Sequence, residues 1–105
     1  KCDKGSEVVC AIDLQLKCTI NHKLPECDPK KLPKFTFMED ESLQRPTQAS
    51  FQIVKLKPID AHTVEVYTKS DCNVWFGLCK GNIIYVLNNR SGNWTVKDIY
   101  ALQSI

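Results

Sequence analysis

Six cysteines stand in this chain of 105 residues, at Cys2, Cys10, Cys18, Cys27, Cys72 and Cys79, and no two of them form a Cys-x-x-Cys pair. An even count at wide spacing in a short chain reads as a disulfide framework. Zinc knuckles place paired thiolates about two to four residues apart, and every gap here is wider. All six cysteines are therefore expected to be oxidised, which leaves none as a nucleophile or metal ligand. Disulfides persist in oxidising surroundings, so the expected location is periplasmic or extracellular.

The pairing is partly constrained by geometry. Cys72 and Cys79 are close in sequence and remote from the other four, so they are expected to pair. Cys10 and Cys18 share one regular element on any reading. Eight residues of helix separate them by ~12 Å, and eight residues of strand by ~27 Å. Neither distance can be bridged. What remains is Cys2–Cys10 with Cys18–Cys27, the preferred pairing, or Cys2–Cys18 with Cys10–Cys27.

The length supports one domain, residues 1–105, that buries roughly 65% of its unfolded surface. A formal net charge of +2 argues neither for nucleic acid nor for an anionic membrane as partner. The longest aliphatic and aromatic run, Ile83-Ile84-Tyr85-Val86-Leu87, is far too short for a membrane span. The chain starts at Lys1 without Met and without an apolar stretch, as a mature product does once its signal peptide has been removed.

The two halves differ. Residues 1–48 hold four of the cysteines and four of the five prolines, and residues 49–105 hold the strand signals. Between Ser6 and Cys18 two periods fit. With period two, Val8, Cys10, Ile12, Leu14, Leu16 and Cys18 share a face; with period 3.6, Val8, Val9, Ile12 and Leu16 form a stripe. Ser6 suits an N-cap, Glu7 suits the positive helix end, and Ala11, Leu14, Gln15, Leu16 and Lys17 are good helix formers. A downstream sheet also needs a covering layer, so helix is the expectation. Pro25, Pro29 and Pro33 exclude a long helix in 25–48, where Phe35-Thr36-Phe37 is expected as a short strand and Leu43 to Pro46 as a turn.

Four strands are expected after that. They run from Ser50 to Lys57, ended by Pro58; from Thr63 to Thr68; from Asn82 to Leu87; and from Trp94 to Leu102. In the second, Val64 and Val66 face one way, Glu65 and Tyr67 the other. Ile59-Asp60-Ala61-His62 and Asn88-Asn89-Arg90-Ser91-Gly92-Asn93 carry turn chemistry. The fold class is thus α+β: a disulfide-stabilised four-stranded antiparallel meander with an N-terminal helix packed on one face.

The ending Asn82-Ile83-Ile84-Tyr85-Val86-Leu87, a polar turn, then Gly92-Asn93-Trp94-Thr95-Val96-Lys97-Asp98-Ile99-Tyr100 resembles the final hairpin of small bacterial NTF2-like or cystatin-like proteins. There a Gly-x-Trp-x-Val-x-x-Ile strand closes a curved sheet. The likeness covers about a fifth of the chain. It implies a curved sheet with a helix in its concavity, and no particular reaction.

The sharpest local feature is Cys72-Asn73-Val74-Trp75-Phe76-Gly77-Leu78-Cys79, between the second and third strands. Closed by a disulfide, it would present Trp75, Phe76 and Leu78 from a ring, and rigidly held aromatics carry much of the energy at protein interfaces. These three residues are the candidate partner-binding site. The alternative is that they fold back and plug one end of the sheet. Glu39-Asp40-Glu41 lacks the spacing and glycine of a calcium loop, and Lys30, Lys31 and Lys34 make only a modest basic patch. His22 and His62, the only histidines, lie beside no nucleophile motif. Asn89-Arg90-Ser91 and Asn93-Trp94-Thr95 are glycosylation sequons, but also what a turn selects. No catalytic residue, metal ligand or cofactor site is expected. The function expected is a non-enzymatic protein-binding module, such as an inhibitor, an immunity-type protein or a secretion-system accessory component. The alternatives are a secreted eukaryotic or viral receptor-binding factor and a small-ligand carrier.

Overall fold

The computed structural model describes residues 6–37, 45–74 and 79–102. Helix α1 spans Glu7–Ile20 and is followed by a 3-10 turn over Lys34–Phe37. Strands β1 (Ala49–Asp60), β2 (Thr63–Cys72), β3 (Gly81–Asn88) and β4 (Thr95–Leu102) form one antiparallel sheet in the order β1-β2-β3-β4. The helix packs on one face of this meander, as the apolar patterning implied.

Of the two periods that fit residues 6–18, the helical one describes the chain. Its buried residues are Ala11, Ile12, Gln15, Leu16 and Cys18, one stripe at 3.6-residue spacing, with Val8 half-buried beside it. Ser6 occupies the N-cap position in extended backbone, but its side chain makes no capping hydrogen bond. At the other end the Asn21 N–H donates to the Lys17 carbonyl at 2.9 Å, closing the last turn. Arg45 adds a longer-range cap. Its guanidinium donates to the carbonyls of Thr19 and Thr36, each at 2.9 Å. A cation there meets the negative end of the helix dipole and joins α1 to the 3-10 turn.

The expected strand at Phe35-Thr36-Phe37 is corrected: Lys34–Phe37 is a 3-10 turn. The Thr36 N–H bonds back to Pro33 at 3.1 Å, a local i to i+3 contact that needs no neighbouring strand. Thr36 is buried, and its hydroxyl accepts a hydrogen bond from the Gln15 amide at 2.9 Å. The expected turn from Leu43 to Pro46 and the acidic run Glu39-Asp40-Glu41 fall wholly or partly outside the described residues. Lys30, Lys31 and Lys34 are exposed.

β1 runs through Pro58, where an end was expected. β1 is an edge of the sheet, and an edge strand uses only half of its N–H groups in the ladder, so a proline is tolerated. Register shifts at Ile53/Lys55 and Pro58/Asp60 mark two bulges in it. β2 also exceeds its expected length, reaching Cys72. Its alternation is as expected: Val64, Val66, Thr68, Ser70 and Cys72 are buried, with Glu65, Tyr67, Lys69 and Asp71 on the other face.

Three apolar clusters meet along α1. Ala11 and Ile12 join Val64, Val66, Ile83, Tyr85, Leu87, Val96 and Ile99 in the main core, with the half-buried Trp94 against its edge. One turn on, Leu16 packs with Cys72 and Cys79. Cys18 packs with Cys27 and Leu32. The helix is thus in contact with the core and with both described disulfides.

Tyr85 is fully buried, and its hydroxyl finds no hydrogen-bond partner. Burial pushes its phenol above the ordinary value of 10.0. Because the shift is upward, stability is complete while the unfolded phenol stays protonated, and is lost as pH rises past 10.0 towards the folded value. Tyr85→Phe removes both the orphaned hydroxyl and this ionisation. It is expected to leave stability at neutral pH unchanged or raised by up to ~1 kcal/mol. It should also flatten the alkaline decline in a pH series of chemical denaturations, where an unchanged decline would show that Tyr85 is not its source.

Candidate functional site

The second hairpin carries the candidate site. β2 ends at Cys72 and β3 begins at Gly81, and the Cys72–Cys79 disulfide closes the connection into a ring with Cα atoms 5.8 Å apart. Both cysteines are buried, at 7% and 3% exposure, against Leu16 with Ala49, Phe51 and Val74 around them. The base of the ring is therefore part of the core. Trp75, Phe76 and Leu78, the residues singled out for partner binding, lie outside the described residues.

Two side chains that carry no sequence motif pin the described flanks of the ring. Asn73 accepts hydrogen bonds from the N–H groups of Thr47 and Gln48 at 2.9 and 3.3 Å, and its amide donates to the Thr47 hydroxyl. Its own N–H donates to the Gln48 carbonyl at 3.3 Å, so the chain entering β1 is laced to the start of the ring. On the other flank, the Lys80 ammonium donates to the carbonyls of Cys72 and Val74 at 3.4 and 3.3 Å and lies 3.8 Å from the Asp71 carboxylate. It ties the exit of the ring to its entrance. An Asn next to a loop cysteine is the one sequence signal that could have pointed here, because short polar side chains hydrogen-bond nearby backbone. Gly81 then turns into β3 with φ +98°, which L side chains rarely adopt.

An open depression of about 370 Å³ lies beside this base, lined by Gln48, Ser50, Asp71, Asn73 and Lys80 among others. Ala49 and Cys72 also line it, so its walls mix polar and apolar surface. The inner face of the sheet, where a carrier would hold its ligand, is filled by fully buried side chains that include Ile12, Tyr85 and Leu87.

The disulfides match the sequence reading where they can be compared. Cys18 bonds Cys27, with Cα atoms 5.7 Å apart, which is the preferred pairing. Cys10 is also disulfide-bonded, and Cys2 lies outside the described residues. The two histidines serve different neighbours. His62 Nδ1 is 2.9 Å from the Asn89 side-chain oxygen, and the His22 ring meets Phe37 edge-on at 6.2 Å. Among the described residues no cluster of three or more His, Cys, Asp or Glu side chains is arranged to hold a metal. No described helix is long and apolar enough to cross a membrane. Of the two sequons, Asn89 is half-buried and Asn93 exposed.

No protein-family model, curated protein or solved structure matches this chain.

Proposed function

We propose that this chain is a non-enzymatic protein-binding module of the periplasm or extracellular space, which offers the Cys72–Cys79 ring to an apolar cleft on a partner protein. The observation that carries the reading is the way the ring is held: a buried disulfide under Leu16, with Asn73 and Lys80 locking its two flanks. A loop whose base is ordered in the free protein loses less entropy on binding. The sequence places Trp75, Phe76 and Leu78 inside that ring. The disulfides support an oxidising location. An inhibitor, an immunity-type protein or a secretion accessory component all fit a presented loop of this kind. Placement among small NTF2-like or cystatin-like proteins belongs to the same proposal, supported by a helix over one face of a four-stranded meander.

The test compares immobilised wild type with a Trp75→Ala/Phe76→Ala variant, each exposed to the extracytoplasmic fraction of the source cells. A protein held by wild type should be lost from the variant, with affinity reduced by at least ~2 kcal/mol, roughly thirtyfold. Stability should change by no more than about 0.5 kcal/mol, as for surface substitutions. Equal capture by both chains would remove the loop from the account.

A further inference from the structure

The face of the sheet opposite α1 is a second surface, independent of the ring. Alternation along β2 turns Glu65, Tyr67, Lys69 and Asp71 away from the helix, and the register extends this face across all four strands. One row across it reads Lys55, Tyr67, Ile84, Tyr100; the next reads Lys57, Glu65, Val86, Asp98. Its middle sets Tyr67, Ile84 and Val86 among the charged Glu65, Lys69 and Asp71. Ile84 is 7% exposed between the two tyrosines of its row, while Tyr100 is 48% and Leu102 47% exposed. Its two margins differ in charge. The β1 margin carries Lys55, whose ammonium lies 5.5 Å from the centre of the Tyr67 ring, and Lys57; the β4 margin carries Asp98. Among the described residues no element covers this face.

We propose that two copies of the chain pack outer face to outer face about a two-fold axis parallel to the strands. The axis lies between β2 and β3. This operation lays β1 of one copy over β4 of the other and each row over itself reversed. Lys57 then faces Asp98 of the partner subunit, twice by symmetry, and Lys55 faces Tyr100 of the partner subunit. Tyr67 meets Ile84 of the partner subunit at the centre. Glu65 keeps Lys57 as its cross-strand neighbour. The arrangement is an aligned sheet packing, which twisted sheets accommodate at about 30°.

Charge complementarity favours a second copy, since the face carries both signs on opposite margins and only this rotation brings them together. Four strands at ~4.8 Å and eight residues at ~3.3 Å give a footprint of about 500 Å² before side-chain relief. Two such footprints make about 1,000 Å² in all, the lower threshold for a specific interface. Pairing through the β1 edge is disfavoured, because Lys55, Lys57, Pro58 and two bulges protect it.

Sedimentation over a concentration series at low salt tests the proposal. Wild type should dissociate reversibly from a dimer, less stably as salt is added. Lys57→Glu and Asp98→Lys should each raise the dimer Kd at least about tenfold, because one substitution breaks two symmetric pairs. The double variant Lys57→Glu/Asp98→Lys should recover most of that loss. The two side chains stand three strand spacings apart in one chain, ~14 Å, so only a partner subunit can supply the recovery. Circular dichroism melts should show all three variants folded. A wild type that stays monomeric at its highest soluble concentration overturns the proposal, as does a double variant no tighter than the singles.

Discussion

Ile12→Ala is expected to lower the free energy of unfolding by about 3–4 kcal/mol in urea titration. Ile12 is fully buried and belongs to the main core, where α1 meets the sheet residues Val64, Val66, Tyr85, Leu87 and Val96. Removing three carbons there loses their transfer energy and leaves a cavity that a helix anchored at both ends cannot collapse. The anchors are the Cys18–Cys27 disulfide and the Arg45 contacts at one end and the disulfide-bonded Cys10 near the other. Val54→Ala is the control. Val54 lies at a bulge in β1 and is 59% exposed, so its truncation should change stability by less than about 0.5 kcal/mol. Equal effects from the two substitutions would mean that α1 does not cover the sheet as described.

The second large effect is expected from removal of the Cys18–Cys27 bond by a Cys18→Ala/Cys27→Ala double substitution. The cysteines are nine positions apart, so loop-closure entropy alone assigns the crosslink about 2.7 kcal/mol. Both sulfurs are also buried, packing with Leu32 and the half-buried Leu14, Leu24 and Phe37. A total loss of about 3 kcal/mol is expected. This bond does more than shorten a loop, because residues 21–33 contain no helix or strand and depend on contacts to α1. Lys17 and Glu26 form an exposed ion pair across the same loop at 2.9 Å, and exposed pairs of this kind add little. A loss under about 1 kcal/mol would show that the contacts of Gln15 and Arg45 with Thr36 hold this segment without the crosslink.

The sheet was legible in the sequence because two-residue alternation is local. Val64 and Val66 against Glu65 and Tyr67 set the inner and outer faces of β2, and the turn residues set the hairpins. The disulfide Cys18–Cys27 was legible only in part: a helix or a strand alike keeps Cys10 and Cys18 too far apart to bond each other, which left two pairings, and Cys18–Cys27 belonged to the preferred one. The helix itself was harder. Ile12 and Leu16 satisfy periods of two and 3.6 alike, and only the need to cover a sheet separated them. The errors arose where local propensity was overruled. Phe35-Thr36-Phe37 has strand composition but no strand to pair with, and Gln15 and Arg45, both distant in sequence, hold it as a 3-10 turn. Pro58 reads as a strand end, yet an edge strand tolerates it. At the candidate site the ring and its aromatics were visible as residues. The anchoring by Asn73 and Lys80 was not, because it depends on backbone groups that only the fold brings within reach.

The ring's role as a presented surface is tested most directly by the accessibility of Trp75. Trp94 is the other tryptophan, half-buried against the core, and Trp94→Phe leaves Trp75 as the sole indole fluorophore. The account predicts that Trp75 in this variant emits like an indole in water and is readily quenched by acrylamide in the free protein. A blue-shifted, poorly quenched Trp75 would place it in the interior as a plug of the sheet and would contradict the binding-loop account.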